Sequence, residues 1–126
     1  MDLNKYIVSA DSSIREAVRI MDGNGSFFCV CVEGQDTVVG VISDGDFRRA
    51  VHDGIQLDEN IRKIVNTKFV SVHKNYTQEE VESIFKDTYI AQIPVVENGR
   101  LLDIVSVQDL HGIELNSNQR VLDNPV

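Results

Sequence analysis

The sequence is short of cysteine, of basic residues and of long apolar runs, and each shortage excludes a class of protein. Cys29 and Cys31 are the only cysteines in 126 residues. Two thiols cannot staple a fold of this size, and a bridge across one intervening residue is geometrically poor. Strand alternation puts both on one face, where they read as small buried apolar residues. The other reading, a metal or redox pair, needs further ligands. His52, His73 and His111 share no ligand spacing with the cysteines. Lysine and arginine number 12 against 20 aspartates and glutamates, for a net charge of −8. With a pI near 4.7, such a surface repels nucleic-acid backbones and anionic membranes, so neither is expected as a partner. No apolar run approaches the roughly 18 residues of a membrane span, and no charged start with an apolar stretch marks a secretion signal. A soluble, cytoplasmic protein is expected. Also missing are a nucleophile–base pair and a glycine-rich phosphate loop, which makes an enzyme the least supported reading.

What is present is ordinary globular material. Hydrophobic residues make up 42% and charged residues 25%, enough apolar surface to fold. The length suits one domain or a tight pair of half-size units. An internal repeat favours the pair. Val8, Glu16, Ile20, Val32 and Glu33 recur as Val72, Glu80, Ile84, Val96 and Glu97, at a constant offset of 64. After one deletion the offset becomes 63, and Val41-Ile42-Ser43 meets Ile104-Val105-Ser106, with Asp46 meeting Asp109.

Each copy reads as strand-helix-strand-strand-helix, an α/β (α+β) unit. Ile7-Val8 and Phe69-Val70-Ser71-Val72 are short strands entering a helix. Ser13 with Glu16, and Thr77 with Glu80, have capping-box spacing. Ile14, Ala17, Val18 and Met21 lie on one helical face, and Val81, Ile84, Phe85 and Thr88 repeat that period. Gly23-Asn24-Gly25 ends the first helix. Residues 27–32 and 92–96 are strands by composition. Residues 38–42 and 101–105, nearly all apolar, are expected to be well buried. The last helices carry Phe47, Ala50 and Val51, or Leu110 and Ile113. Leu57, Ile61, Ile64 and Val65 suggest a short connector with Asp58 as its N-cap. The expected boundaries are 1–56, a connector at 57–65, 66–115, and a loose polar tail at 116–126. A unit of about 55 residues buries little of its own surface, so the two small sheets are expected to pack with pseudo-twofold symmetry.

The chemistry concentrates where a buried strand ends. In Gly40-Val41-Ile42-Ser43-Asp44-Gly45-Asp46, Ser43 and Asp46 read as helix caps. They also read as ligand groups, because a hydroxyl and helix N-terminal amides meet a phosphate or sugar oxygen, while a carboxylate accepts ribose hydroxyls. Recurrence as Ser106 and Asp109 favours the second reading.

These residues carry a resemblance. Gly40-x-x-Ser43-x-x-Asp46, the matching Ser106-x-x-Asp109, and Ile93-Pro94-Val95-Val96 resemble a CBS-domain pair, or Bateman module, over residues 3–115. The resemblance implies dimerisation and binding of AMP, ADP, ATP or S-adenosylmethionine in clefts between the halves, with no cofactor required. Bound ligand would regulate an attached enzyme or transporter. By position, Asp46 and Asp109 would hold ribose hydroxyls, and Ser43 and Ser106 would sit near ribose or the first phosphate. Ile93, between Gln92 and Pro94, and the backbone near Thr67 would flank a base. Arg48 and Arg49 read as phosphate partners or as a solvated helix face. Three departures from the family pattern stand out. Asp103 replaces Gly40, Gln92 stands where a basic residue is usual, and His111 and Gly112 replace Arg48 and Arg49. A triphosphate adds about three to four negative charges to a body at −8, so a monophosphate, a nucleoside or a sulfonium is easier to hold unless Mg²⁺ bridges. Gly45-Asp46-Phe47-Arg48-Arg49-Ala50, Gln92-Ile93-Pro94-Val95 and the ending Leu122-Asp123-Asn124-Pro125-Val126 are similar to CBS pairs placed ahead of sugar-phosphate nucleotidyltransferase domains. That likeness implies a regulatory segment of a longer enzyme. The alternative is a dimerisation or interaction module with empty clefts.

Overall fold

The computed structural model describes residues 2–111. The chain divides into two compact units. The first holds the residues up to Val70 together with Asn98–Leu101, and the second holds Ser71–Glu97 with the described residues from Leu102 onward. Both are mixed α and β, in agreement with the expected fold class.

In the first unit, β1 (Ile7–Ser9) runs parallel to β2 (Cys29–Glu33), and β2 runs antiparallel to β3 (Thr37–Ile42). A parallel pair needs a crossover, and α1 (Ile14–Asn24) supplies it. Ser13 caps α1 by accepting from the Glu16 amide, and Gly25 ends it at φ 77°, a left-handed turn that suits glycine. The expected apolar face is the one that packs. Ile14, Ala17 and Met21 join Val8, Cys29, Cys31, Ile42 and Ile61 in one core. β2 starts at Cys29 rather than residue 27, because Phe27 sits at φ 48°, outside the extended region.

The connector contains a short 3₁₀ turn, Ile61–Lys63, whose cap is Asn60 rather than Asp58. Asp58 instead pairs with Arg15 at 3.1 Å. Backbone bonds from Ile14 to Glu59 and from Ile61 to Ser12 tie this segment to the start of α1. α2 (Asp44–His52) follows β3 and buries Ala50, with Phe47 packed on the core. Val51 was expected on that face. It is 53% exposed.

The second unit contains α3 (Gln78–Asp87), β4 (Gln92–Glu97), α4 (Val107–His111) and, from Leu102 on, β5 (Arg100–Ser106), with β4 and β5 paired. Its core is Val72, Val81, Ile93 and Val95. The repeat is visible at single-residue resolution. Val8 pairs in parallel with Cys31, and Val72 with Val95, each 64 residues on. The expected strand at 69–72 shrinks to that one bridge. Pro94 has no amide to donate toward Val70, so the ladder stops there. β5 is also less buried than expected, since Leu102 is 45% exposed and Asp103 lies at the surface.

The tip between β4 and β5 is a two-residue turn, Asn98-Gly99, with φ of 53° and 80°. It belongs to the first unit. Arg100 pairs there with Thr37, and its Nε reaches both oxygens of Asp36 at 3.0 and 3.2 Å. The expected tail, Ile113 and the Leu122-to-Val126 ending lie outside the described residues.

Candidate functional site

In the first unit β3 runs out at Ser43, whose extended backbone (φ −105°, ψ 173°) lets its side chain turn back over the start of α2. Ser43 Oγ accepts from the Asp46 amide at 3.2 Å. Asp46 Oδ2 accepts from the Ser43 amide and from Ser43 Oγ, both at 2.9 Å. This is a complete capping box, whereas Ser13 and Thr77 accept from their helix amides at the expected spacing. Asp46 Oδ1 accepts from Arg49 at 2.7 Å. A carboxylate offers about four acceptor directions, and Asp46 already uses three of them. Its side chain is only 11% exposed, while that of Arg49 is 71% exposed.

Two neighbours fix this corner. The Phe47 ring packs on Phe27, with centroids 5.7 Å apart and planes at 59°. Upstream, residues 65 and 66 cross β3 at Gly40. A Cβ there would overlap the Asn66 carbonyl oxygen and come within 2.8 Å of Val65 Cγ2. Val41 and Asn66 exchange both backbone bonds, at 3.0 and 2.8 Å. Thr67, one residue on, is exposed. The antiparallel bridge sends it toward Gly40 and away from Ser43. Arg48 is bonded within α2 to Asp44 at 3.1 Å, and its side chain is 76% exposed.

The second unit repeats the corner in a looser form. Asp109 Oδ2 accepts from the buried Ser106 amide at 3.1 Å, the one hydrogen bond joining this pair among the described residues. Val107 donates to the Ala91 carbonyl at 2.8 Å, which holds the start of α4 beside β4. Among the described residues, Asp109 therefore uses one of its about four acceptor directions. It lines a cavity of about 370 Å³ with Tyr76, Gln78, Val81 and Val105, within the size range of small-molecule sites. Ile93 and Pro94 are buried and Gln92 is half-buried. Ile93 packs in the same cluster as Val81, one layer behind the cavity wall. At the Gly40 counterpart, the Asp103 carboxylate accepts from the Ile104 amide at 2.8 Å.

Sequence reasoning brought Ser43, Asp46 and Arg49 to one point and Ser106 and Asp109 to another. It missed Tyr76 and Gln78. Both flank the Thr77 cap, but their meeting with Asp109 depends on how α3 lies against β5. The cysteines are free and buried. Its hydrogen bond to Cys31, together with burial, pushes the Cys29 thiol well above the ordinary cysteine range. Among the described residues, no cluster of three or more His, Cys, Asp or Glu side chains could hold a metal.

Comparison with known proteins places this geometry. The CBS domain family matches residues 1–53 and again 61–113. The chain belongs to the CBS-domain family, as a tandem pair. Among curated relatives it is 31% identical to the uncharacterized protein YlbB of Bacillus subtilis, over 84% of this chain and 72% of that one. It spans about a third (32%) of the length of uncharacterized protein RP505 of Rickettsia prowazekii, at 26% identity. The CBS-domain containing protein ATU1752 of Agrobacterium tumefaciens superposes with a TM-score of 0.73 at 25% identity, over 85% of this chain and 86% of that one. The CBS domain protein PAE2072 of Pyrobaculum aerophilum, solved in complex with AMP, gives a TM-score of 0.73 at 23% identity, over 82% and 81%. No helix among the described residues is long and apolar enough to cross a membrane.

Proposed function

We propose that this chain is a regulatory module that senses an adenosine-type ligand, with Asp109 and Asp46 as the ribose-binding carboxylates. The carrying observation is the repeated strand–Ser–x–x–Asp–helix corner, one copy of which opens on a cavity of about 370 Å³. AMP in the related PAE2072 structure supports the ligand class. In the second unit, Asp109 has acceptor directions to spare for two vicinal hydroxyls, and Tyr76 offers an aromatic wall to a base. Ser106 serves the sugar or first phosphate, and Gln92, Ile93 and Pro94 back the base. Ser43, Asp46 and Arg49 form the corresponding set in the first unit. Net charge favours AMP, adenosine or S-adenosylmethionine over free ATP. The module acts as a homodimer and controls a covalently attached domain, a sugar-phosphate nucleotidyltransferase in the reading nearest the Gly45-to-Ala50 segment. Ligand shifts the population of its states and so the setting of that domain.

One observation favours a second reading, a ligand-free dimerisation or interaction module. Three of the Asp46 acceptor directions are taken internally, as a pure cap would have them.

Titration separates the two. AMP, ADP, ATP and S-adenosylmethionine are added to the purified chain, and heat and melting temperature are followed. A ligand at a hundred times its Kd stabilises by about 2.7 kcal/mol. Asp109→Ala is expected to remove second-unit binding and leave unliganded melting nearly unchanged, since the residue is exposed and, among the described residues, its side chain makes one hydrogen bond. No shift with any of the four at millimolar concentration leaves the interaction module.

A further inference from the structure

The Arg49 guanidinium stands where a ribose would have to bind. Its Nη2 donates to Asp46 Oδ1 at 2.7 Å. Both directions on Oδ2 are taken by the Ser43 amide and hydroxyl, so Oδ1 is the only oxygen with room. A ribose presenting two hydroxyls needs two acceptor directions, and Asp46 has about one while Arg49 stays. The guanidinium also lies over the start of α2. Its Nη1 is 3.4 Å from the position a Cβ would take at Gly45, so a side chain there would crowd it. The neighbouring cation is committed elsewhere, with Arg48 on Asp44.

From this geometry we infer that Arg49 is a specificity-determining residue of the first unit, which selects a phosphorylated nucleoside over the bare nucleoside. The inference rests on Asp46 being a ribose carboxylate. A bare nucleoside must strip Arg49 from Asp46 and leaves it no anion in exchange. A nucleoside monophosphate provides the replacement, since a guanidinium pairs with phosphate in the same forked geometry it uses on a carboxylate. The phosphate would sit beside the Asp44 and Gly45 amides, which have no acceptor within the helix. Arg49 is thus a self-ligand, displaced by sugar and recaptured by phosphate. The matching position in the second copy of the repeat is a glycine, Gly112.

Adenosine and AMP are titrated into the ¹⁵N-labelled full chain and into Arg49→Ala, following the Gly45 amide, a reporter confined to this corner. Arg49 is 71% exposed, so the variant is expected to fold, and its unliganded spectrum verifies that. In the wild type, AMP should bind more tightly than adenosine. In Arg49→Ala the two should move in opposite directions. Adenosine should gain about two- to fivefold, the worth of an exposed ion pair, and AMP should lose roughly tenfold with its charged partner. If the variant changes both affinities in the same direction, or leaves their ratio intact, the selective role is overturned while ribose binding stands. If Gly45 responds to neither ligand in either protein, Asp46 is not a ribose carboxylate, and this inference falls together with the first-unit part of the proposed function.

Discussion

At Gly40 one carbon atom decides whether a chain crossing is allowed. The backbone of residues 65–66 lies directly on this position, so Gly40→Ala forces the Val41–Asn66 bonds to give way. Overpacking of this kind costs about 1–3 kcal/mol. Urea unfolding should show the midpoint drop with an unchanged slope. Asp103→Ala, at the matching place in the second copy, should cost under about 0.5 kcal/mol because that side chain is exposed. Equal losses at the two positions would sink the account. The departure from the family pattern was legible as a glycine replaced by an acid. That Gly40 serves a chain crossing was not, because the crossing partner is 25 residues away in sequence.

At the scale of the element, helices α2 and α3 do not begin alike. Ser43 makes two side-chain bonds to Asp46, and Thr77 makes one to the Glu80 amide. Removing an N-cap hydroxyl costs about 1 kcal/mol, within a range of 0.5–2. Ser43→Ala should therefore fall toward the upper end and Thr77→Ala toward the lower, read from thermal unfolding of the two variants side by side. The reverse order would show that the box at α2 adds nothing beyond an ordinary cap. Strand boundaries were less legible than helix starts. Caps are local, written in residues three apart, whereas the truncation at Val72 depends on Pro94 across the sheet and the start of β2 depends on the backbone turn at Phe27.

For the whole molecule, charge sets the response to acid. Glu59 lies below the usual carboxylate range because it accepts from the Gln56 amide and from Lys63, and Glu16 does so because of its bond to Arg19. A carboxyl with a depressed folded-state pKa stabilises the fold above its ordinary value of 4.5 and loses that contribution as pH falls through the folded value. Against this, titration from neutral pH toward the pI of 4.7 removes the self-repulsion of a −8 surface. Melting temperature should hold or rise from pH 7 to about 5 and fall below about 4.5. Glu59→Gln should blunt the acid fall. A steady decline from pH 7 downward would show that some other titrating group dominates.

The sequence by itself determined the duplication, the caps at Ser13, Ser43 and Thr77, the apolar face of α1 and the pairing of Ser43 with Asp46 and of Ser106 with Asp109. All of these are written in residues close along the chain or at a constant repeat offset. Tertiary structure alone decided the surroundings of each carboxylate. Asp46 is drawn into its own cap and onto Arg49, whereas Asp109 faces a cavity walled by Tyr76 and Gln78. The two corners carry the same Ser–x–x–Asp spacing. What separates them is which distant side chains fill the acceptor directions around each carboxylate, and only packing sets that.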